Sequence, residues 1–233
     1  MINKNAFTFM ETAIVIFIIT TLFGIIFFVK KTAKESDIKS LVMQIKKYDA
    51  ALNSFTQKYH ALPGDVVGTV TYGITETNTD GDGDNVITDY NKKILQANGE
   101  IVNFWMHLSK SKMLDENYNG AENENAKTGN TFPTSKIGEK IGIVAFGAEG
   151  KTFYQIGFIF SNIDRLYTNN NSLTTKEALM FDKKIDDGNP QKGRVMSAGF
   201  NTLNILENDK CVKFGEYDQN ALGPVCQLRI EAK

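Results

Sequence analysis

The pattern of apolar and polar positions changes character near residue 30. Residues 7–29 are almost all apolar, and the 17 residues from 13 to 29 carry no charge. A helix of 23 residues is long enough to span a hydrocarbon core of about 30 Å. The pattern therefore predicts one membrane-spanning helix, with a single carboxylate, Glu11, near its start.

After residue 30 the apolar positions recur three and four residues apart. This spacing places them in a narrow seam along one face of a helix, with polar residues on the other faces. The seam consists of Ile38, Leu41, Ile45, Tyr48, Leu52, Phe55 and Tyr59. Pro63 and Gly64 end the helix, because the residue before a proline avoids helical dihedral angles. We expect residues 30–61 to pack against the rest of the same chain; a coiled coil is the alternative, but barely three heptads are present.

Residues 62–233 are predicted to form one α+β domain. Helical spacing indicates a helix over residues 100–114, and Thr174 with Glu177 forms a capping-box pattern that begins a helix through Ile185. Runs of β-branched and aromatic residues predict strands. These are a hairpin of residues 141–146 and 152–160, and candidate edge strands at 212–214 and 227–230. Residues 117–136, rich in Asn, Glu and Gly, are expected to form a mobile surface loop.

Charge and cysteine content narrow the class of protein. The formal charge of −1 over 233 residues argues against a general nucleic-acid binder, so no nucleic-acid partner is expected. Cys211 and Cys226 are the two cysteines. One close pair in a chain with a membrane or export segment predicts a disulfide in an oxidising compartment, and two unpaired thiols are the alternative.

The N-terminal segment has two interpretations from its residues alone. A cleaved signal peptide would have a basic head, a short apolar core and a small-residue cleavage site. Here the core is long, and Lys4 is the only basic residue before it. A plain membrane anchor explains the length, with Glu11 near a helix start where the helix dipole favours negative charge. The protein would then be a single-pass anchored extracytoplasmic binding protein or adhesin that does not polymerise.

A third interpretation comes from a resemblance. The segment AFTFMETAIVIFIITTLFGIIFF resembles the N-terminus of the type IV pilin and type II secretion pseudopilin superfamily. Precursors in that family have a short hydrophilic leader, a small residue before the cut, Phe as the new first residue and Glu four residues later. The resemblance implies a leader of residues 1–6, cleavage between Ala6 and Phe7, and pairing of Glu11 with the freed amine of a neighbouring subunit. Most family members have Gly where Ala6 stands.

The resemblance also implies a function and an architecture. The chain would be a non-enzymatic structural subunit, a minor pilin or pseudopilin, of a type IV pilus or type II secretion filament. Residues 7–29 would form the transmembrane and filament-core helix, 30–61 its amphipathic continuation, and 62–233 a small antiparallel-sheet head. Implied partners are a prepilin peptidase, other subunits, an inner-membrane platform with its ATPase, and membrane lipid. The implied location is the bacterial inner membrane, with the head extracytoplasmic, and then the assembled filament.

An acidic loop is the candidate metal site. Asp80, Asp82 and Asp84 have the 1, 3, 5 oxygen spacing of a calcium loop, and Asp89 lies nearby. The twelfth position of an EF-hand, however, is occupied by Asn91 instead of a bidentate acid. The spacing nevertheless makes these four aspartates the candidate ligands of a calcium ion. Solvated carboxylates in an ordinary turn are the alternative.

No catalytic set is indicated by the sequence, and no enzymatic activity is expected. His60 and His107 have no metal-ligand spacing and no adjacent nucleophile motif, and a GxSxG motif is absent. A further acidic group is interpreted as solvated or helix-capping side chains. It consists of Asp182, Asp186 and Asp187.

Overall fold

The chain forms two compact units, Met1–Asp37 and Ile38–Lys233. The computed structural model describes residues 8–75, 77–94, 96–161, 166–169, 172–202, 205–207 and 210–233. Within these ranges the fold is α+β with an antiparallel sheet, which confirms the predicted class. The helices are α1 (Phe9–Tyr59), α2 (Glu100–Lys110) and α3 (Thr175–Ile185). The strands are β1 (Ile141–Ala148), β2 (Lys151–Ser161), β3 (Leu166–Asn169), β4 (Leu173–Thr174), β5 (Val195–Thr202), β6 (Ile205–Glu207), β7 (Val212–Lys213), β8 (Glu216–Tyr217) and β9 (Pro224–Glu231).

Helix α1 contributes to both units. Its first part, Phe9–Ile26, is long and apolar enough to cross a membrane, and none of it is buried in the protein. The helix ends at Tyr59, and His60 then adopts a positive φ of 54°, a conformation typical of the residue that follows a helix. The helix therefore stops shortly before Pro63.

The predicted seam of α1 lies in the core of the second unit. All seven seam residues are buried, with exposures between 0 and 8 %. Tyr48 makes an edge contact with Trp105 of α2 at 4.7 Å between ring centroids, and Tyr154 of β2 lies 6.3 Å from it. The prediction that the seam packs against the same chain is confirmed.

The main sheet is antiparallel, with strands in the order β1-β2-β9-β5-β6. Strand β3 pairs with β2 and β4 pairs with β9, while β7 and β8 form a separate hairpin. The predicted β1–β2 hairpin is confirmed, with a register from Ile141 opposite Phe158 to Ala148 opposite Lys151. Glu149 and Gly150 close it with positive φ at both positions, as two-residue hairpin turns require.

Two predictions about the second unit need correction, and one strand was missed. Strand β9 is not an edge strand, because β2 and β5 pair with it on either side. Strand β5 was not predicted at all. Segment 117–136 is not simply a surface loop, because Thr131 and Phe132 are fully buried and Thr134 bridges to Gly142 of β1. The capping box of Thr174 and Glu177 at α3 is confirmed.

Candidate functional site

The carboxylate of Glu11 folds back onto the start of its own helix. Its Oε2 accepts hydrogen bonds from the Thr8 backbone N–H at 2.8 Å and from the Thr8 hydroxyl at 2.9 Å. The Glu11 N–H in turn donates to Thr8 Oγ1 at 3.3 Å. This is a capping box, in which two N–H groups left unpaired at a helix start are satisfied reciprocally. Ala6 and Phe7 lie outside the described residues.

Thr8 is a residue that the sequence analysis missed. The signal was present, because Thr8 stands three residues before Glu11 at the beginning of an apolar run, which is the capping-box pattern. Thr8 also accepts the first intrahelical hydrogen bond, from the Thr12 N–H to the Thr8 carbonyl at 3.2 Å. It is therefore the N-cap of α1.

In the second unit, two buried carboxylates hold the acidic loop in place. Asp65, in the turn after α1, accepts from the N–H groups of Gly83 at 2.7 Å and Asn85 at 2.8 Å. Glu100, the first residue of α2, accepts from the N–H groups of Asp82 at 3.0 Å and Thr88 at 2.8 Å. Glu100 thus fixes both ends of residues 82–88, and Asp65 fixes the middle of this segment.

Burial of these two carboxylates raises their pKa values. Asp65 is 1 % exposed and Glu100 is 6 % exposed. Burial raises the pKa of Asp65, and burial together with the adjacent Asp65 carboxylate raises the pKa of Glu100 to about 7. One proton is therefore retained by this pair well above the pH at which an ordinary glutamate loses it.

At Gly81 the backbone of the acidic loop lies so close to the turn that carries Asp65 that a side chain would not fit. A Cβ built on Gly81 would lie 2.3 Å from the Cα of Asp65. The Gly81 N–H donates to the Val66 carbonyl at 3.1 Å. The absence of a side chain at Gly81 is what lets the acidic loop lie directly against the turn that carries Asp65.

Asp82 completes a group of three acids that could hold a metal ion. One carboxylate oxygen from each of Asp65, Asp82 and Glu100 lies within 4.8 Å of the others. Asp82 also forms an ion pair with Lys92 at 2.8 Å. A cavity of about 220 Å³ opens beside the group and is lined in part by Asp82, Lys92, Tyr90 and Glu100. Oxygen donors of this kind suit a hard cation such as calcium.

The other predicted calcium ligands have partners of their own. Asp80 accepts from Thr69 N–H at 2.7 Å and from Thr69 Oγ1 at 2.6 Å. Asp84 accepts from the Val86 N–H and lies 3.4 Å from Lys92 Nζ. Asp89 is buried and accepts from the backbone N–H groups of Asn91, Lys93 and Gln96. Of the four predicted aspartates, only Asp82 joins the three-acid group.

His107 of α2 contacts both the turn after α1 and the residue just before the acidic loop. Its Nδ1 accepts from the Gly64 N–H at 2.9 Å, and its Nε2 lies 3.0 Å from Thr79 Oγ1. Burial lowers the pKa of His107 to about 4, so the ring is neutral and Nε2–H donates to the Thr79 hydroxyl. The histidine therefore has a structural role that its position in the sequence did not reveal.

Calcium binding remains a prediction, and the structure sharpens its test. Millimolar calcium should raise the Tm of the full chain in detergent by about 5 °C or more, because an ion that binds only the folded state stabilises it by mass action. Asp82→Asn should abolish the shift. Asp115→Asn, at an exposed acid outside the group, should leave it unchanged. Differential scanning calorimetry with and without chelator measures the effect, and an unchanged wild-type Tm would contradict the prediction.

The second acidic group was interpreted wrongly at one position. Asp182 is fully buried instead of solvated, and its Oδ2 accepts from the Tyr217 hydroxyl at 2.8 Å. Burial raises the pKa of Asp182. Its Oδ1 accepts from the Gly188 N–H at 3.1 Å, while Asp186 accepts from the backbone N–H groups of Arg194 and Val195. These acids join the end of α3 to strands β5 and β8.

The predicted disulfide is present between Cys211 and Cys226, with a Cα–Cα distance of 5.0 Å. Both cysteines are fully buried, and the bond connects the segment before β7 to the central strand β9. The loop that it closes carries two exposed apolar side chains, Phe214 at the β7–β8 turn and Leu222.

No protein-family model, curated protein or solved structure matches this chain. Its function is therefore proposed from its own residues and their geometry.

Proposed function

We propose that this protein is a structural subunit of a membrane-derived helical filament, a minor pilin or pseudopilin of a type IV pilus or type II secretion system. The observation that carries the proposal is the position of Glu11. It is the one charged residue in a helix segment that is otherwise apolar and long enough to cross a membrane. A carboxylate in such a segment is expensive unless it has a partner.

The partner in this proposal is an α-amine. Cleavage between Ala6 and Phe7 frees an amine on Phe7, and the Glu11 carboxylate of one subunit pairs with the amine of another inside an apolar bundle of helices. Each group alone would be costly to remove from water, and together they neutralise each other. A prepilin peptidase makes the cut, and an inner-membrane platform with its ATPase draws the subunit out of the lipid.

The second unit supports the same function. Residues of α1 from Ile38 onward bury their seam against an antiparallel sheet, so the helix that leaves the membrane is built into the head. The Cys211–Cys226 disulfide fits an oxidising, extracytoplasmic compartment. A long helix joined to a disulfide-closed α+β head is the architecture that a pilin-like subunit needs.

Substitution of Glu11 tests the proposal. In the native host, Glu11→Ala should abolish recovery of the subunit in sheared filaments while the subunit still accumulates in the membrane, because the carboxylate that pairs with the neighbouring amine is lost. Asp37→Ala is the matched control, since Asp37 is an exposed acid of the same helix outside the apolar segment, and it should assemble normally. Immunoblots of sheared and membrane fractions measure both.

Intact-mass analysis of the assembled material gives the second readout. A subunit that begins at Phe7 is expected. Assembled material that retains Met1, or full assembly of Glu11→Ala, would contradict the proposal. Activity at the cell surface without any polymer would then favour a membrane-anchored binding protein or adhesin.

A further inference from the structure

The chain contains two Asn-Gly dipeptides, and the structure places them in different surroundings. Asn98 and Gly99 are buried just before α2, whereas Asn119 is exposed in the segment after it. The dipeptide matters chemically because glycine has no side chain to keep its backbone nitrogen away from the carboxamide carbon of the preceding asparagine. Attack of that nitrogen on the carbon closes a five-membered succinimide ring and releases ammonia.

At Asn98–Gly99 each atom that takes part in this ring closure has a suitable neighbour. The Gly99 N–H, which carries the nucleophile, donates to Oε1 of Glu122 at 3.3 Å. Asn98 Oδ1, on which negative charge develops, accepts from the Tyr90 N–H at 3.1 Å. Asn98 Nδ2, the leaving group, donates to Gln96 Oε1 at 3.1 Å, which orients the carboxamide. The dipeptide therefore has a base, a donor for the oxyanion and a fixed side chain.

We propose that Asn98–Gly99 is a self-modification site, at which the Asn98 carboxamide is converted to a carboxylate through a succinimide with Glu122 as the base. The reaction needs only water besides the protein itself. It is independent of the proposed filament function, because none of these residues belongs to α1.

The reaction balances with the groups present. The Gly99 nitrogen forms a bond to Cγ of Asn98 as its proton passes to the Glu122 carboxylate. The Tyr90 N–H stabilises the oxyanion on Oδ1, since a donor aimed at developing charge lowers the barrier. The bond from Cγ to Nδ2 then breaks, and ammonia leaves with the proton that Glu122 took up, relayed through solvent. Water opens the ring at either carbonyl, which gives aspartate or isoaspartate at position 98.

The surroundings of Gly99 favour this chemistry in two further ways. Its φ of 58° and ψ of −136° suit glycine, and a Cβ there would lie 3.2 Å from the Tyr90 nitrogen. The Tyr90 hydroxyl donates to the same Glu122 oxygen that accepts from Gly99, so the carboxylate is held beside the nucleophile. The cavity of about 220 Å³ beside the acidic loop is lined in part by Gly99 and Tyr90, which gives water access to the ring.

Asn119–Gly120 is an internal control in the same chain. Asn119 Oδ1 accepts from the Ala121 N–H at 3.1 Å and from the Thr131 hydroxyl at 2.9 Å, so its carboxamide oxygen also has donors. Within the part of the chain that the structure describes, however, no carboxylate accepts from the Gly120 N–H. The two dipeptides thus differ in the base.

The experiment follows both dipeptides in the full chain in mild detergent at neutral pH, by peptide mapping with tandem mass spectrometry in isotopically heavy water. Each conversion should add one labelled oxygen. In the folded protein Asn98 should convert at least about tenfold faster than Asn119, which is a low value for a positioned general base. In urea, where Glu122 is no longer held beside Gly99, the two rates should become similar.

Two substitutions test the base directly. Glu122→Gln should bring the ratio of the two rates in the folded protein to the ratio found in urea, because glutamine does not take up the proton. Glu124→Gln, at an exposed acid two residues away, should leave the ratio unchanged. Tyr90→Phe retains the backbone N–H but loses the hydroxyl that holds Glu122, so its ratio should fall between those of wild type and Glu122→Gln. Circular dichroism verifies that each variant is folded.

Three outcomes would overturn the inference. These are slower conversion of Asn98 than of Asn119 in the folded protein, a ratio that Glu122→Gln and Tyr90→Phe both leave unchanged, and a chain cut between Asn98 and Gly99. The cut would show that Nδ2 attacks the backbone carbonyl of Asn98 instead. None of these outcomes bears on the filament proposal, which the Glu11→Ala experiment tests separately.

Discussion

Replacing Phe55 with alanine should lower the free energy of unfolding of the second unit by about 3–5 kcal/mol. Phe55 is fully buried on the seam of α1, with its ring 4.6 Å from that of Tyr59 and 6.5 Å from the imidazole of His107. Truncation removes buried apolar surface and leaves a cavity between α1 and α2, because close-packed neighbours relax only in part.

Urea denaturation of the full chain in mild detergent measures this effect. Trp105 is the single tryptophan and is buried beside Tyr48, so its fluorescence reports on the same core. Met43→Ala is the matched control, because Met43 is on the same helix but is 66 % exposed, and it should change stability by less than about 0.5 kcal/mol. Similar effects of both substitutions would contradict the seam packing described above.

The elements that were predicted correctly depend on local periodicity. The seam of α1 could be recognised because helical spacing places residues three and four positions apart on one face, whatever covers that face. The capping box of α3 and the β1–β2 hairpin are equally local, since each is specified by residues within a few positions of one another. The Thr8–Glu11 box is of the same kind and could have been recognised from the sequence.

Elements that depend on tertiary contacts were missed or misplaced. The residues of β9 predict a strand, but no local pattern shows that β2 and β5 flank it. Strand β5 contains Ser197 and Gly199, which weaken the apolar alternation by which strands are recognised. Position within a sheet is fixed by partners far along the chain, so composition alone does not indicate it.

The candidate metal ligands were also only partly predicted, because two of the three grouped acids lie far from Asp82 in the sequence or outside the acidic loop. The 1, 3, 5 spacing of Asp80, Asp82 and Asp84 suggested a self-contained calcium loop, but that spacing directs ligands to one centre only where the backbone wraps around the ion, as it does in an EF-hand. Here Asp80 and Asp84 accept from nearby backbone N–H groups instead. The carboxylates grouped with Asp82 are those of Asp65 and Glu100, which are 35 residues apart in sequence.

The pair of Asp65 and Glu100 should contribute a loss of stability as the pH rises from 5 to 8, which the buried His107, with its lowered pKa, partly offsets below pH 6.5. Glu100 has a pKa of about 7 in the folded protein, against an ordinary value of 4.5. Between these values the folded state binds a proton that the unfolded state has released, so the stabilisation is complete below pH 4.5 and is lost as the pH rises through 7. The expected loss from this pair alone is about 2–3 kcal/mol, since one pKa unit corresponds to about 1.4 kcal/mol.

Urea unfolding at pH 5, 6, 7 and 8 in the presence of a chelator measures this slope. Glu100→Gln should remove the part of the slope that this pair contributes, because the amide does not titrate. The variant should also be less stable than wild type at pH 5, because glutamine has one acceptor oxygen for the N–H groups of Asp82 and Thr88. Glu124→Gln, the same substitution at an exposed acid, should retain the wild-type slope.

Calcium binding should change this pH dependence of stability, because the ion and the proton would be bound by the same carboxylates. An ion held by Asp65, Asp82 and Glu100 would stabilise their ionised forms, so saturating calcium should remove most of the loss of stability above pH 7. Asp82→Asn should retain the slope in calcium, because one of the three ligands is lost. A wild-type slope from pH 5 to 8 equal to that of Glu100→Gln without calcium would show that Glu100 does not retain its proton. A slope that calcium leaves unchanged would show that this group binds a proton but no metal ion.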